Sequence, residues 1–328
     1  MPNATQITPT PPNPGTHIPR WPSQVAYQDA LQHPASCFAD PILRTCTPLD
    51  FAPFGLPAPI SGQFANVYRM RSDDGRTWGV KLFLRHLSSR AVHYSALQTH
   101  LLRLSPAPSW LVPFAYHEQG IHIGTNWFPV LQMPWLQEAT PLNVYIGEIA
   151  SDPAAVRRLR DAWRKLIMET ERERFAHGDL QHGNVMVRLG RGGKAPILHL
   201  LDYDGAWVPA LAGRVGVEAG HPAYQHPLRA PGDFGPRLDR FSAVAVYTAL
   251  LILAQAPDLW NRLDNGENIL WQREDFAETL AKGRALYELG RHENAYVRRA
   301  TEAFRSVCEA PATLVPDLER YAMMAEMI

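Results

Sequence analysis

HGDLQHGNVMV, residues 177–187, sets an aspartate and an asparagine, Asp179 and Asn184, five positions apart in a polar loop that opens into an apolar stretch. Upstream, DPAAVRRLRDAWRKLIMETERERF (152–175) starts with Asp152 as a helix cap and Pro153 in the first turn. Val156, Leu159, Trp163, Leu166 and Ile167 fall on one face, so a long amphipathic helix is expected to deliver the chain to His177. Downstream, Ile197, Leu198, Leu200 and Leu201 read as a buried strand ending at Asp202. The three glycines of RLGRGGKAP (188–196) mark a hairpin tip between two strands.

These residue types suit phosphoryl transfer. The terminal phosphoryl of ATP carries charge that Mg²⁺ neutralises while a carboxylate orients the incoming hydroxyl. Asp179 is placed for the second task. Asp202 and Asn184 supply the carboxylate and amide oxygens that magnesium accepts beside phosphate oxygens. On these residues the chain resembles the protein kinase superfamily: HGDLQHGN stands where protein kinases carry H-R-D-L-x-x-x-N, and Asp202-Tyr203-Asp204 where they carry D-F-G. The His-Gly-Asp opening is closer to aminoglycoside and choline phosphotransferases and to atypical bacterial kinases. His177 is expected to be structural, packed beneath the metal site.

The resemblance extends to both sides. PISGQFANVYRM (59–70), the turn at 72–75 and the strand TWGVKLFL form an expected hairpin similar to the glycine-rich loop and lysine strand. By that alignment Gly62 lets the backbone approach the phosphates, Phe64 covers them and Val67 presses on the adenine. Lys81 lies fourteen residues after Val67 and is the residue that holds the α and β phosphates. Gly79 widens the base pocket. Ile60 and Ala65 occupy the flanking glycine positions, a departure from the family. Residues 87–104 have helical spacing, yet no acidic residue occurs between Arg85 and Ser105, where the family places the glutamate that pairs with the lysine. Gln98 and His100 are the polar residues expected to approach Lys81 from this helix. Strands are expected around 110–116 and 121–130, followed by an interlobe hinge with Met133 as gatekeeper and the Pro134 carbonyl and Leu136 amide pairing the adenine.

Past Asp202, GHPAYQHP aligns with the end of the kinase activation segment, and Asp239 with the aspartate that opens a buried helix (239–255) and hydrogen-bonds the catalytic loop. The arginine that receives an activating phosphate in kinases is Gly178 here, and no serine or threonine lies between Asp202 and Pro236. Activity independent of activation-segment phosphorylation is therefore expected. Trp260 and Trp271 are expected in the core of a helical carboxyl-terminal part.

Lysine plus arginine equals aspartate plus glutamate at 32 each among 328 residues, so no global field favours nucleic acid or an anionic membrane. The cysteines Cys37, Cys46 and Cys308 form no C-x-x-C pair, which argues for a reducing compartment and against structural zinc. No apolar run reaches bilayer length, and a cytoplasmic location is expected. The expected fold is α+β and two-lobed like a protein kinase, with a small antiparallel β lobe and a larger helical lobe. Its divisions are a flexible Pro-rich tail (1–22), an amino-terminal extension (23–55), the small lobe (56–132), and the hinge and large lobe (133–328). The resemblance implies an enzyme that uses ATP and Mg²⁺ to phosphorylate serine or threonine of a protein substrate. Two alternatives stand beside it: a small-molecule phosphotransferase and a nucleotide-binding pseudokinase scaffold.

Overall fold

The computed structural model describes residues 20–53, 55–190, 192, 195–216, 218–230 and 232–326. The expected tail lies outside these residues except at its end. Trp21 there packs its ring on Phe128 at 5.2 Å, and its indole N–H donates to the Phe83 carbonyl. The protein is α+β and divides into two compact units. One holds the described residues up to Ser88 with Ala115–Trp135; the other holds Ser89–Phe114 and everything described from Leu136 onward.

The first unit opens with three short helices, α1 (Gln24–Ala30), α2 (Pro34–Cys37) and α3 (Pro41–Arg44). Ser23 caps α1 by accepting the Ala26 amide, as its hydroxyl chemistry predicts. Six strands follow: β1 (Thr47–Pro48), β2 (Ile60–Ser61), β3 (Ala65–Arg71), β4 (Thr77–Phe83), β5 (Ala115–Ile123) and β6 (Asn126–Pro134). They form one antiparallel sheet in the order β1-β3-β4-β6-β5, with β2 paired to β3. The β3-β4 hairpin is the expected one, and its turn is fixed by Gly75 at φ +83° and by the Ser72 hydroxyl donating to Asp74. The strand expected at 110–116 begins only at Ala115.

Alternation along the strands divides this sheet between two faces. Tyr68, Met70, Val80, Leu82, Phe128 and Val130 pack against Tyr27 of α1, Leu43 of α3, and Leu31 and Phe38, which follow α1 and α2. The amino-terminal segment is thus part of the unit's core. Cys37 and Cys46 belong to the same cluster, and burial pushes both thiols up to about 12, so they serve as apolar filling.

The second unit begins with α4 (Arg90–Leu101). A three-stranded antiparallel sheet is formed by β7 (Thr140–Pro141), β8 (Val185–Leu189) and β9 (Pro196–Leu200), with α5 (Leu142–Ile149) and α6 (Pro153–Arg172) between the first two. Asp152 caps α6 through the amides of Ala154 and Ala155, and Val156, Leu159, Trp163, Leu166 and Ile167 are buried along it. β8 and β9 form the expected hairpin, although 191, 193 and 194 at its tip lie outside the described residues.

Helix α7 (Arg240–Leu253) is buried from Phe241 through Leu253, because α6 and the later helices surround it. Trp163 donates its indole N–H to the Ala243 carbonyl at 3.0 Å, fixing α6 against α7. The remaining helices are α8 (Leu259–Leu263), α9 (Arg273–Ala277), α10 (Ala285–Leu289), α11 (Ala295–Glu309) and α12 (Leu318–Glu326). Trp260 and Trp271 are buried, and Cys308 is buried on α11. No helix among the described residues is long and apolar enough to cross a membrane.

Candidate active site

Two loops of the second unit are clamped together by backbone hydrogen bonds on both flanks. Where the chain enters HGDLQHGN, Ala176 and Trp207 exchange both of their bonds, at 3.0 and 2.7 Å. Where it leaves, the Leu201 amide donates to the Asn184 carbonyl at 2.9 Å, extending the β8-β9 ladder by one step. Residues 177–184 and 202–205 are therefore bracketed segments of one scaffold, and Asn184 and Asp202 emerge from the same end of a hairpin.

Between these brackets the backbones nearly touch. Gly178 has φ +78°, and a Cβ placed there would lie 2.1 Å from the Gly205 carbonyl oxygen. No side chain fits, so the absence of arginine at this position has a steric cause. Beneath the loop, the Asp239 carboxylate accepts the amides of His177 and, at 2.8 Å, Gly178. Burial pushes the Asp239 carboxyl up, while the two amides, His177 and the Arg229 guanidinium hold it down. His177 is fully buried, and its Nε2 donates to the Leu201 carbonyl at 2.7 Å, as a structural histidine should.

Asp179 is held by both oxygens. Oδ2 accepts Asn184 Nδ2 at 3.0 Å, and Oδ1 accepts the His221 amide at 2.6 Å. Each carboxylate oxygen keeps a second lone pair, so a hydroxyl can still be oriented there. Asn184 Nδ2 also donates to the Asp179 carbonyl at 2.9 Å, which leaves its amide oxygen as a donor atom for a cation. Asp202 sits at φ +62°, ψ +80°, a left-handed conformation that costs a non-glycine residue about 1–2 kcal/mol. Such strain persists only where the surroundings impose it. Here they do: Tyr203 is fully buried, its hydroxyl donates to Leu200 O at 2.7 Å, and the Val112 amide donates to that hydroxyl at 3.1 Å.

Asn184 and Asp202 provide the hard oxygen donors that suit magnesium shared with phosphate oxygens. Among the described residues no group of three or more His, Cys, Asp or Glu is arranged to hold a metal ion by itself.

The first unit gathers the other expected residues on the sheet face opposite its core. Lys81 pairs in register with Val67 and Leu131, and Gly79 with Met133. A Cβ at Gly79 would lie 3.5 Å from Met133 and 3.7 Å from both Val67 and Trp135, so the missing side chain leaves a gap ringed by these residues. Lys81 is 5% exposed and lies 5.8 Å from the centroid of the Phe83 ring. Gly62 is exposed in the β2-β3 connection, and the Arg85 guanidinium stacks on Phe64 at 3.3 Å. Pro134 ends β6 opposite Trp78, and Leu136 opens the next segment of the second unit.

Several contacts had no signal in the sequence. His100 donates its Nε2 to the Glu173 carbonyl at 2.8 Å, a commitment the spacing along α4 did not suggest. Arg229, two residues past GHPAYQHP, donates to the Gly178 carbonyl at 3.4 Å and to Gln225 of that segment, which fastens the segment to the 177–184 loop. Gly220, at φ +75°, lets that segment pass Asp179: a Cβ there would lie 3.0 Å from Oδ1. A hollow of about 450 Å³ lined by Gly220, Gln225, Arg229, Asp233, Phe234 and Arg273 adjoins it. No protein-family model matches the chain, and no curated protein sequence does.

Proposed function

We propose that the chain is an ATP-dependent kinase with a protein-kinase-like, two-lobed fold that transfers the γ-phosphoryl to a hydroxyl, most readily serine or threonine of a protein. The observation that carries this reading is the bracketed pair of loops, which holds Asp179 against Asn184 and presents Asp202 from the neighbouring strand end. Asp179 orients the acceptor hydroxyl and takes its proton as the oxygen bonds to the γ-phosphorus and the bond to the β-γ bridging oxygen breaks. Asn184 and Asp202 hold Mg²⁺, which neutralises charge on the terminal phosphates. Lys81 binds the nucleotide phosphates, and Val67, Gly79 and Met133 shape the surface for the base.

The docking of GHPAYQHP on Asp179 supports a peptide acceptor, because it fixes a backbone segment beside the base. The hollow beside Gly220 favours a second reading, a small-molecule acceptor, since its volume and the charges of Arg229, Asp233 and Arg273 on a largely apolar wall suit a compact ligand. Titration with a non-hydrolysable ATP analogue tests the assignment. Mg²⁺ should tighten binding to wild type, Asp202→Asn should abolish that gain, and Lys81→Ala should weaken binding at least about tenfold. Equal, metal-independent affinity in all three proteins would refute it.

A further inference from the structure

Helix α4 carries no acidic residue, yet two of its side chains are bonded to the loop that contains Asp202. The Tyr94 hydroxyl donates to Asp204 Oδ1, and His93 Nε2 donates to the Tyr203 carbonyl oxygen at 3.1 Å. Both residues are buried, and Tyr94 also packs edge-on against Phe114, which in turn contacts Tyr203. Donors stand on the helix and acceptors on the loop.

Asp202 and Asp204 are two carboxylates two residues apart, and in isolation they would repel each other and compete for one cation. The hydroxyl on Asp204 turns one of them toward the helix, and the bond to the Tyr203 carbonyl holds the intervening peptide. We propose that Tyr94 and His93 are positioning residues that keep Asp204 out of the metal site and Asp202 in its left-handed, metal-binding conformation. The proposal rests on the kinase reading for the identity of the metal, and not for the hydrogen bonds themselves. It gives α4 a task that needs no acidic residue, and it couples the helix directly to the metal loop.

The test uses the full chain with Tyr94→Phe, Asp204→Ala and the double variant. Phenylalanine keeps the ring contacts and removes only the hydroxyl. Two readouts are taken: Mn²⁺ dependence of binding to a non-hydrolysable ATP analogue by calorimetry, and hydrogen exchange of the 203–206 amides without ligand. Tyr94→Phe should raise the Mn²⁺ needed for half-maximal tightening about tenfold and speed exchange of those amides to a similar degree. Asp204→Ala should resemble it, with no further loss in the double variant. If Asp204→Ala abolishes the metal effect while Tyr94→Phe matches wild type, Asp204 is itself the ligand and the proposal falls. If wild type shows no metal effect, the kinase reading fails, and the exchange data alone decide whether Tyr94 positions the loop: unchanged exchange in Tyr94→Phe overturns it.

Discussion

At the scale of single residues, close backbone approach governs the site more than side-chain chemistry does. Gly178→Ala forces a methyl group against the Gly205 carbonyl in a left-handed conformation, and should cost roughly 2–4 kcal/mol in urea unfolding. The same variant should displace Asp179 and lower any transfer rate; unaltered stability would show that the two loops are not in contact. The His-Gly-Asp triplet was readable in the sequence as a motif, and Asp239 as its support, because those residues recur at set spacings. The reason for the glycine was not readable, since it lies in a carbonyl 27 positions along the chain. Arg229 and Gly220 were hidden for the same cause: their partners are distant in sequence and chosen by folding.

At the scale of elements, a cap and helical periodicity made α6 legible, the turn at 72–75 the β3-β4 hairpin, and the aligned Asp239 the buried helix α7. Asp152→Ala should cost about 1 kcal/mol of unfolding free energy in urea titrations, by loss of the α6 cap's bonds to two amides. Helix α4 was legible as a helix but not in its contacts, and the short helices α1 to α3 gave no sign that they fill the first unit's core. Buried histidines add a pH dependence. Burial lowers His93 below its ordinary value of 6.5, against the bond to Tyr203 and the Asp204 charge, with Arg214 and Arg90 adding to the lowering. The unfolded chain therefore binds this proton more readily than the folded one. Its contribution is complete above about 6.5 and declines as pH falls below that value. Between pH 7.5 and 5.5, wild type should lose more stability than His93→Gln in urea titrations; identical losses would contradict the burial argument.

At the scale of the whole molecule, the expectation of an α+β fold came from the order and spacing of the aligned motifs, and the α+β class is what the protein has. The placement of 89–114 with the later residues was not legible, and in the folded protein α4 is bonded to Tyr203 and Asp204. The balanced charge predicts little salt dependence for encounter with any partner, so effects of ionic strength should be confined to nucleotide binding. Phosphoryl transfer is tested by incubation of the full chain with γ-labelled ATP, Mg²⁺ and protein or small-molecule acceptors, followed by mass spectrometry of the products. Wild type should place label on an acceptor hydroxyl, and Asp179→Asn and Asp202→Asn should each lose it while staying folded. Nucleotide binding without transfer by wild type, or transfer that survives both substitutions, would contradict the kinase reading.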